Sequence, residues 1–155
     1  MEYIRAPHPE DDADTGGCIF CQKPLEGDDG AAYIVARSDR SFVVLNKYPY
    51  NPGHLMVAPY RHIADLTELA EDEMLDAGRL LQRSVVALRA LGDPQGFNIG
   101  MNLGRVAGAG VPGHLHWHLV PRWSGDTNFM PVVGHTKVLP QLLADTRQLL
   151  ADAWT

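Results

Sequence analysis

The chain has 155 residues, of which 45% are hydrophobic and 21% are charged, and its formal net charge is -6. This length and composition predict one globular domain with a single core and leave little room for a second. The negative charge argues against a protein that coats nucleic acid, and no apolar run is long enough to span a bilayer. Two cysteines and the lack of an apolar signal-peptide core predict a cytoplasmic protein.

The first half of the chain predicts an arm followed by short strands. Residues 1–17 offer little for a core to bury, which predicts a mobile N-terminal arm before a single domain over residues 18–155. Apolar and β-branched residues then predict strands over Tyr33–Ala36, Ser41–Asn46 and His54–Ala58, separated by polar or proline-rich turns.

A long helix is predicted over Thr67–Ala90. Thr67 is the expected N-cap, and the acidic residues after it favour the positive end of the helix dipole. Gly92 and Pro94 are expected to end the helix. The expected buried stripe, at helical spacing, consists of Met74, Leu81, Val85 and Leu88.

The second half predicts two strands around a glycine-rich loop, and then a helix. Residues 97–103 alternate between an apolar face and a small polar face, Gly104–Gly113 form the loop, and His114–Val120 form the next strand. Pro140 is expected to open a C-terminal helix. Its apolar stripe would consist of Leu142, Leu143, Leu149 and Leu150. Together these elements predict an α+β domain with a mainly antiparallel sheet of about five strands.

Three histidines alternate in the last predicted strand. On a strand His114, His116 and His118 share one face, whereas Leu115, Trp117 and Leu119 share the other. Three adjacent imidazoles pack poorly in a core, so a functional site is favoured over a solvent-facing strand that happens to use histidine. A metal site remains a second functional interpretation, because neutral imidazole is a common zinc ligand.

Cys18 and Cys21 form a CxxC pair near the start of the domain. By itself this pair is compatible with a redox centre, half of a zinc site or two small buried residues. No βαβ pattern surrounds it, which disfavours a thioredoxin-like centre.

The HLHWHLV segment resembles the defining motif of the histidine-triad (HIT) superfamily, and the similarity extends over roughly Cys18–Asn128. The resemblance implies a HIT-like fold, a homodimer, and an enzyme that acts on nucleotide phosphoanhydrides. It makes His116 the nucleophile that forms a nucleotidyl intermediate, and His118 the donor to the phosphate oxygens. Neutral imidazole is nucleophilic near pH 7, which suits this role.

The resemblance also implies a structural zinc ion. Zinc-bearing members of the superfamily carry a similar CIFC segment, and complete the site with a histidine after the PGH strand and the first histidine of the triad. Those positions correspond to His62 and His114, so the implied ligands are Cys18, Cys21, His62 and His114.

Further residues of this chain match the nucleotide pocket of the superfamily. Asn46 occupies the position of a ribose contact, and His54 that of a residue that supports the triad. Asn102 and Arg122 are candidate phosphate contacts. Asn46, His54 and Arg122 also have structural alternatives, namely a turn-capping asparagine, a hydrogen-bonded core histidine and a charge at the end of a strand, respectively.

The glycine-rich loop departs from the common pattern, because AGAGV replaces Ala-Gly-Gln-Ser or Ala-Gly-Gln-Thr before the triad. Gly108 and Gly110 would let backbone N–H groups approach a phosphate. With PRWSGDTNF this loop resembles the bacterial diadenosine tetraphosphate phosphorylases, which implies cleavage of dinucleoside polyphosphates with phosphate as acceptor. Magnesium could accompany the substrate. Hydrolysis of dinucleotides or phosphoramidates by water, and a zinc-stabilised nucleotide-binding module without turnover, remain alternatives.

Overall fold

The computed structural model describes residues 17–126 and 142–154. Five strands form one antiparallel sheet in the order β1-β2-β3-β5-β4. Their bounds are Ile34–Arg37 (β1), Ser41–Leu45 (β2), Leu55–Pro59 (β3), Gly96–Met101 (β4) and Trp117–Arg122 (β5). The predicted α+β class and the sheet of about five strands are confirmed. The predicted N-terminal arm lies, except for Gly17, outside the described residues.

Within the described residues three α-helices accompany the sheet, namely Ile19–Gln22 (α1), Glu71–Gly92 (α2) and Leu143–Asp152 (α3). Short 3-10 turns occur at Lys23–Leu25, Leu66–Glu68 and Arg105–Ala107. Within the described residues no helix is long and apolar enough to cross a membrane.

The predicted start of the long helix at Thr67 is wrong. Thr67 lies in a 3-10 turn whose N-cap is Asp65, and α2 begins only at Glu71. The carboxylate of Glu73 accepts a hydrogen bond from the backbone N–H of Ala70 (2.9 Å), which satisfies one donor at the helix start. The helix ends at Gly92, as expected, and Asp93 follows in the left-handed conformation (φ 42°).

The buried face of α2 also differs from the predicted stripe. Met74 is 42% exposed, and Leu81 and Val85 are only partly buried; of the predicted four, Leu88 alone is buried. The buried residues of the helix are Glu73, Ala77, Leu80, Ser84, Ala87 and Leu88. Three of these six side chains, Ala77, Ser84 and Ala87, are small, and the helix packs against β2 and β3.

Two clusters bury both faces of the central strands, and every residue of β2 and β3 is buried as a result. On one face Leu115, Trp117 and Leu119 join the cluster that packs against α2. On the other face Phe20, near the N-terminus, packs with residues that include Phe42 and Met56. The predicted separation of the triad histidines from the alternating apolar residues is confirmed.

The bounds of β5 and β4 differ from the predicted ones. His114 and His116 precede β5, which starts at Trp117, because Leu115 donates its backbone N–H to Ile63 rather than to a strand of the sheet. β4 ends at Met101; on its predicted apolar face Phe97 and Met101 are half-buried against the core cluster, whereas Ile99 is 50% exposed. Within the described residues β4 is an edge strand of the sheet.

The C-terminal helix is shorter than predicted and turns a different face inward. It begins at Leu143, and the proposed start at Pro140 lies outside the described residues. Leu150 is buried, but Leu142 and Leu149 are exposed, so the predicted leucine stripe is wrong in two of its four members. Thr146 takes the inward position one turn before Leu150.

Candidate active site and metal centre

Four aromatic rings line up at the N-terminal end of β5. The ring of His116 lies 4.7 Å from that of Phe20 and 4.9 Å from that of His118, measured between centroids. His54, which immediately precedes β3, lies 5.1 Å from His118. The pairing of β3 with β5 brings these side chains together, because Met56 and His118 are register partners.

The backbone carbonyl of His114 fixes the tautomer of His116. Nδ1 of His116 lies 2.8 Å from this oxygen, which can only accept, so Nδ1 carries the proton. Nε2 of His116 consequently holds a lone pair. The ring is 5% exposed, and the residue lines a cavity. His116 therefore presents a nucleophilic nitrogen rather than a donor.

His118 has the opposite tautomer, and a chain of hydrogen bonds explains why. The backbone N–H of Tyr50 donates to Nδ1 of His54 (3.1 Å), so the proton of the His54 ring is on Nε2. That nitrogen lies 2.9 Å from Nδ1 of His118 and donates to it. The remaining nitrogen of His118, Nε2, therefore carries a proton. The two neighbouring rings thus offer one acceptor and one donor.

Burial keeps both imidazoles neutral near pH 7. Loss of hydration, together with a smaller effect of the neighbouring His116, lowers the pKa of His118 from 6.5 to about 4. Loss of hydration also lowers the pKa of His116, against an opposing effect of its hydrogen bond to the His114 carbonyl. Neutral rings can keep the tautomers that their partners impose.

A cavity of about 600 Å³ opens onto the two histidines, a size that suits a small-molecule ligand. Its walls are mostly apolar or aromatic. The lining residues include Ile19, Phe20, Met56 and Val111, the segment 46–50, and Gly108, Gly110, His116 and His118. Among these described residues no carboxylate faces the cavity.

The structure brings most of the predicted pocket residues to this cavity. Asn46, Gly108 and Gly110 line it, and Gly108 has a left-handed backbone (φ 89°) that other residues rarely adopt. Asn46 also accepts a hydrogen bond from the backbone N–H of Tyr48 (2.9 Å), which is the turn-capping role that its position allowed. Asn102 is not among the lining residues and donates to the carbonyl of Gly108 (3.3 Å).

Arg122, a predicted phosphate contact, lies in an ion-pair network instead of the cavity wall. Its Nε lies 2.6 Å and its Nη2 2.8 Å from the two carboxylate oxygens of Asp126, and its Nη1 lies 2.7 Å from Asn98. Asn51 donates to Asp126 (2.8 Å) and to the carbonyl of Pro121 (2.9 Å). This network attaches the turn before β3 to the end of β5.

Sequence reasoning missed three residues that shape the site, namely Phe20, Tyr50 and Asn51. Phe20 stands between the two cysteines, where its contact with His116 depends on the fold of α1. The YPYNPG segment identified a turn correctly, but its spacing carries no signal that the Tyr50 N–H would orient His54.

A second group, of four side chains that can bind a metal, shares His114 with the triad. The group consists of Cys18, Cys21, His62 and His114, whose ligand atoms all lie within 4.8 Å of one another. Sγ of Cys18 lies 3.2 Å from Nδ1 of His114, and Sγ of Cys21 lies 3.3 Å from Nδ1 of His62. Two thiolates and two imidazoles are a common ligand set of structural zinc.

The surroundings of His114 fit a metal ligand. Nε2 of His114 lies 2.9 Å from the carbonyl of Pro59 and donates to it, which leaves the Nδ1 lone pair directed at the cysteines. Such a carbonyl partner commonly orients a ligating histidine. Phe20, between the two cysteines, contacts both His114 (5.3 Å) and His116 (4.7 Å). A metal at this position would therefore hold α1 against the triad.

Comparison with known proteins agrees with this geometry. The HIT domain model matches residues 30–125, which contain the sheet, α2 and the triad. The chain belongs to the HIT family.

Two of the relatives have names that describe different activities. The chain is 48% identical over 126 residues to a protein of Mycobacterium tuberculosis called AP-4-A phosphorylase, covering 81% of this chain and 65% of that protein. It thus spans less than two thirds of that relative's length. It is 32% identical over 105 residues to the adenosine 5'-monophosphoramidase of Schizosaccharomyces pombe, covering 68% of this chain and 74% of that protein.

Solved structures of the HIT family show the same fold. A zinc-bound histidine-triad family protein from Mycobacterium smegmatis superimposes with a TM-score of 0.72 at 26% identity, covering 91% of this chain and 95% of that one. The similarity thus extends over almost the whole of both chains.

Proposed function

We propose that this HIT protein is a nucleotidyl transferase that cleaves dinucleoside polyphosphates, such as diadenosine tetraphosphate, through a nucleotidyl intermediate on His116. The observation that carries the proposal is the pair of opposite tautomers. Nε2 of His116 is an acceptor and Nε2 of His118 a donor, with ring centroids 4.9 Å apart. A nucleophile beside a hydrogen-bond donor is the arrangement that substitution at phosphorus requires.

The first step forms a bond between Nε2 of His116 and the α-phosphorus. The bond from that phosphorus to its bridging oxygen breaks, and the electron pair leaves with the oxygen of the departing nucleotide. The His116 ring then carries a positive charge, which the carbonyl of His114 stabilises through the Nδ1 proton. The Nε2 proton of His118 stabilises the charge on the phosphate oxygens.

The second step transfers the nucleotidyl group from His116 to an acceptor. We propose inorganic phosphate as this acceptor, because Ala109 and Gly110 replace the Gln and the Ser or Thr that are typical of the family, and Gly110 lines the cavity. The name of the Mycobacterium tuberculosis relative supports this assignment. With diadenosine tetraphosphate, phosphate yields ADP and ATP, whereas water yields AMP and ATP.

Product analysis tests the reaction and the acceptor together. Diadenosine tetraphosphate is incubated with the protein, with and without phosphate, and the nucleotides are separated by chromatography. ADP formed only in the presence of phosphate supports the proposal, and AMP formed equally in both samples would contradict phosphate as acceptor.

Hydrolysis of phosphoramidates is a second candidate, supported by the name of the Schizosaccharomyces pombe relative. The same intermediate on His116 would form while an amine leaves, and water would release the nucleotide. Turnover of adenosine 5'-phosphoramidate that exceeds turnover of diadenosine tetraphosphate would favour this function.

The remaining residues of the site receive supporting roles in the proposal. Asn46 contacts the ribose through its side-chain amide, whose Oδ1 accepts from the Tyr48 N–H and whose Nδ2 lies 3.4 Å from Nδ1 of His54. Asn102 positions the phosphate-binding loop through its hydrogen bond to the Gly108 carbonyl. Arg122 supports the site from the end of β5 through its ion pair with Asp126. Zinc bound by the two cysteines, His62 and His114 would supply a fixed cross-link rather than chemistry. Magnesium would bind the phosphates of the substrate, because the described cavity walls offer it no carboxylate.

We also propose a cytoplasmic homodimer that forms along β4. This strand is the edge of the sheet, with Ile99 50% exposed. An apolar edge strand invites pairing with a second copy. Light scattering after Ile99→Lys should show a smaller particle than the parent protein, and an unchanged mass would contradict this interface.

A further inference from the structure

The cavity has an aromatic surface at each end, with the two triad histidines between them. The Phe20 ring adjoins His116 (4.7 Å), His116 adjoins His118 (4.9 Å), and His118 adjoins Tyr50 (6.1 Å). These successive contacts order the rings from Phe20 to Tyr50. A phosphate held at the two histidines therefore has an aromatic ring next to each of them.

The end at Tyr50 consists of two exposed rings, which we call the tyrosine platform (Tyr48 and Tyr50). Tyr48 is 75% and Tyr50 54% exposed, and both line the cavity. Tyr50 packs one side against His54, with centroids 4.9 Å apart and planes inclined by 29°. Large aromatic surface is therefore held in water directly beside the triad.

Hydrogen bonds fix the turn that carries the platform. The backbone N–H of Tyr48 donates to Asn46 (2.9 Å), and that of Tyr50 donates to His54 (3.1 Å). The side chain of Asn51 ties the same turn to Asp126 (2.8 Å). A ligand that stacks on a turn already fixed in this way loses less conformational entropy than one that must order it.

We propose that the tyrosine platform is a stacking subsite for the second nucleobase of a dinucleoside substrate, on the nucleotide that leaves. The choice of substrate rests on the proposed function. Phe20 contacts the nucleophile His116 (4.7 Å), whereas Tyr50 contacts the donor His118 (6.1 Å), so the two aromatic surfaces adjoin different histidines. The apolar end around Phe20 takes the other base. Lys47, which also lines the cavity, places a positive charge next to the polyphosphate.

Stacking on an aromatic ring tolerates any base, because every base has a π-face. The platform therefore selects substrates that have two bases over substrates that have one, with little preference for which base is second. This selection separates dinucleoside polyphosphates from mononucleotides and phosphoramidates at the binding step.

Binding to a protein that cannot turn over tests the platform. In the His116→Asn background, calorimetry measures Kd for diadenosine tetraphosphate and for adenosine 5'-tetraphosphate, which has the same number of phosphates and lacks the second nucleoside. We expect Tyr48→Ala with Tyr50→Ala to raise Kd for the dinucleotide about 10-fold and to leave Kd for the mononucleotide unchanged.

Two matched variants separate stacking from damage to the site. Tyr48→Phe retains the ring and should bind both ligands like the parent. Tyr48→Ala alone keeps the backbone bond to Asn46 and should weaken the dinucleotide selectively. Equal weakening of both ligands, or no weakening of the dinucleotide, would overturn the platform. The absence of an adduct on His116 would overturn the proposed function instead, and leaves this binding comparison intact.

Discussion

Nε2 of His54 lies 2.9 Å from Nδ1 of His118 and donates a proton to it, although His54 is completely buried. A histidine that no substrate can reach therefore decides which nitrogen of His118 faces the cavity with a proton. His116 obtains the opposite tautomer from the carbonyl of His114 (2.8 Å). The chemical difference between the two neighbouring rings originates in their hydrogen-bond partners.

His54→Ala should reduce kcat about 10- to 100-fold while changing KM little, because His118 loses the donor that fixes its tautomer. Steady-state kinetics provides the measurement. Nitrogen-15 NMR of the His118 ring, which distinguishes the two tautomers, should show a mixture in this variant. A single unchanged tautomer would contradict the relay, and a thermal melt establishes that the variant is folded.

His116→Ala should abolish turnover and leave nucleotide binding nearly intact, because its side chain is neither a proposed metal ligand nor part of the main apolar clusters. Loss of a nucleophile costs many orders of magnitude in rate. His118→Ala should cost less, since the covalent route remains.

A trapped adduct provides the decisive measurement for His116. Acid quench must be avoided, because a phosphoramidate is lost in acid and stable in base. Mass spectrometry in base should find one nucleotidyl group on the parent protein and none on the variant. Turnover by His116→Ala at near the parent rate would show that another residue is the nucleophile.

Purified protein should contain close to one zinc ion per chain, measured by elemental analysis. Cys21→Ser should lose the metal. It should also loosen the packing of Phe20 against His116, because Phe20 lies between the two cysteines in the chain. Ser38→Ala, remote from the cluster, serves as a control that retains zinc. A zinc-free protein that was never exposed to chelator would contradict the prediction.

Stability should fall in acid because of Glu73. Its hydrogen bond from Arg61 (2.7 Å) lowers the pKa of the Glu73 carboxyl from 4.5 to about 2, against the effect of burial. A lowered pKa in the folded protein stabilises it above pH 4.5, and this contribution is lost as the pH falls from 4.5 towards 2. Because Arg61 is half exposed, solvent screening limits the contribution to about 1 kcal/mol.

Urea denaturation of Glu73→Gln should therefore show a lower free energy of unfolding than the parent at pH 7, with a difference that shrinks by pH 3. Glu71→Gln, on an exposed position of the same turn, is the control and should change little. A difference independent of pH would mean that the carboxyl charge does not contribute.

The sequence correctly predicted those features that depend on residues close together in the chain. Alternation along the chain placed the three histidines opposite Leu115, Trp117 and Leu119, because successive side chains of an extended segment point to opposite faces. The turn between β1 and β2, and the end of α2 at Gly92, followed from residue types that favour turns and helix ends. The triad was therefore evident in the sequence by itself.

Tertiary contacts decided the rest. The buried face of α2 includes Glu73, Ala77 and Ser84, which the pattern of leucines and valines did not predict. The tautomers of His116 and His118 depend on the His114 carbonyl and the Tyr50 N–H, and Arg122 is held by Asp126. These hydrogen-bond partners become neighbours only when the chain is folded. Only the folded structure could therefore assign Nε2 of His116 as nucleophile and Nε2 of His118 as donor.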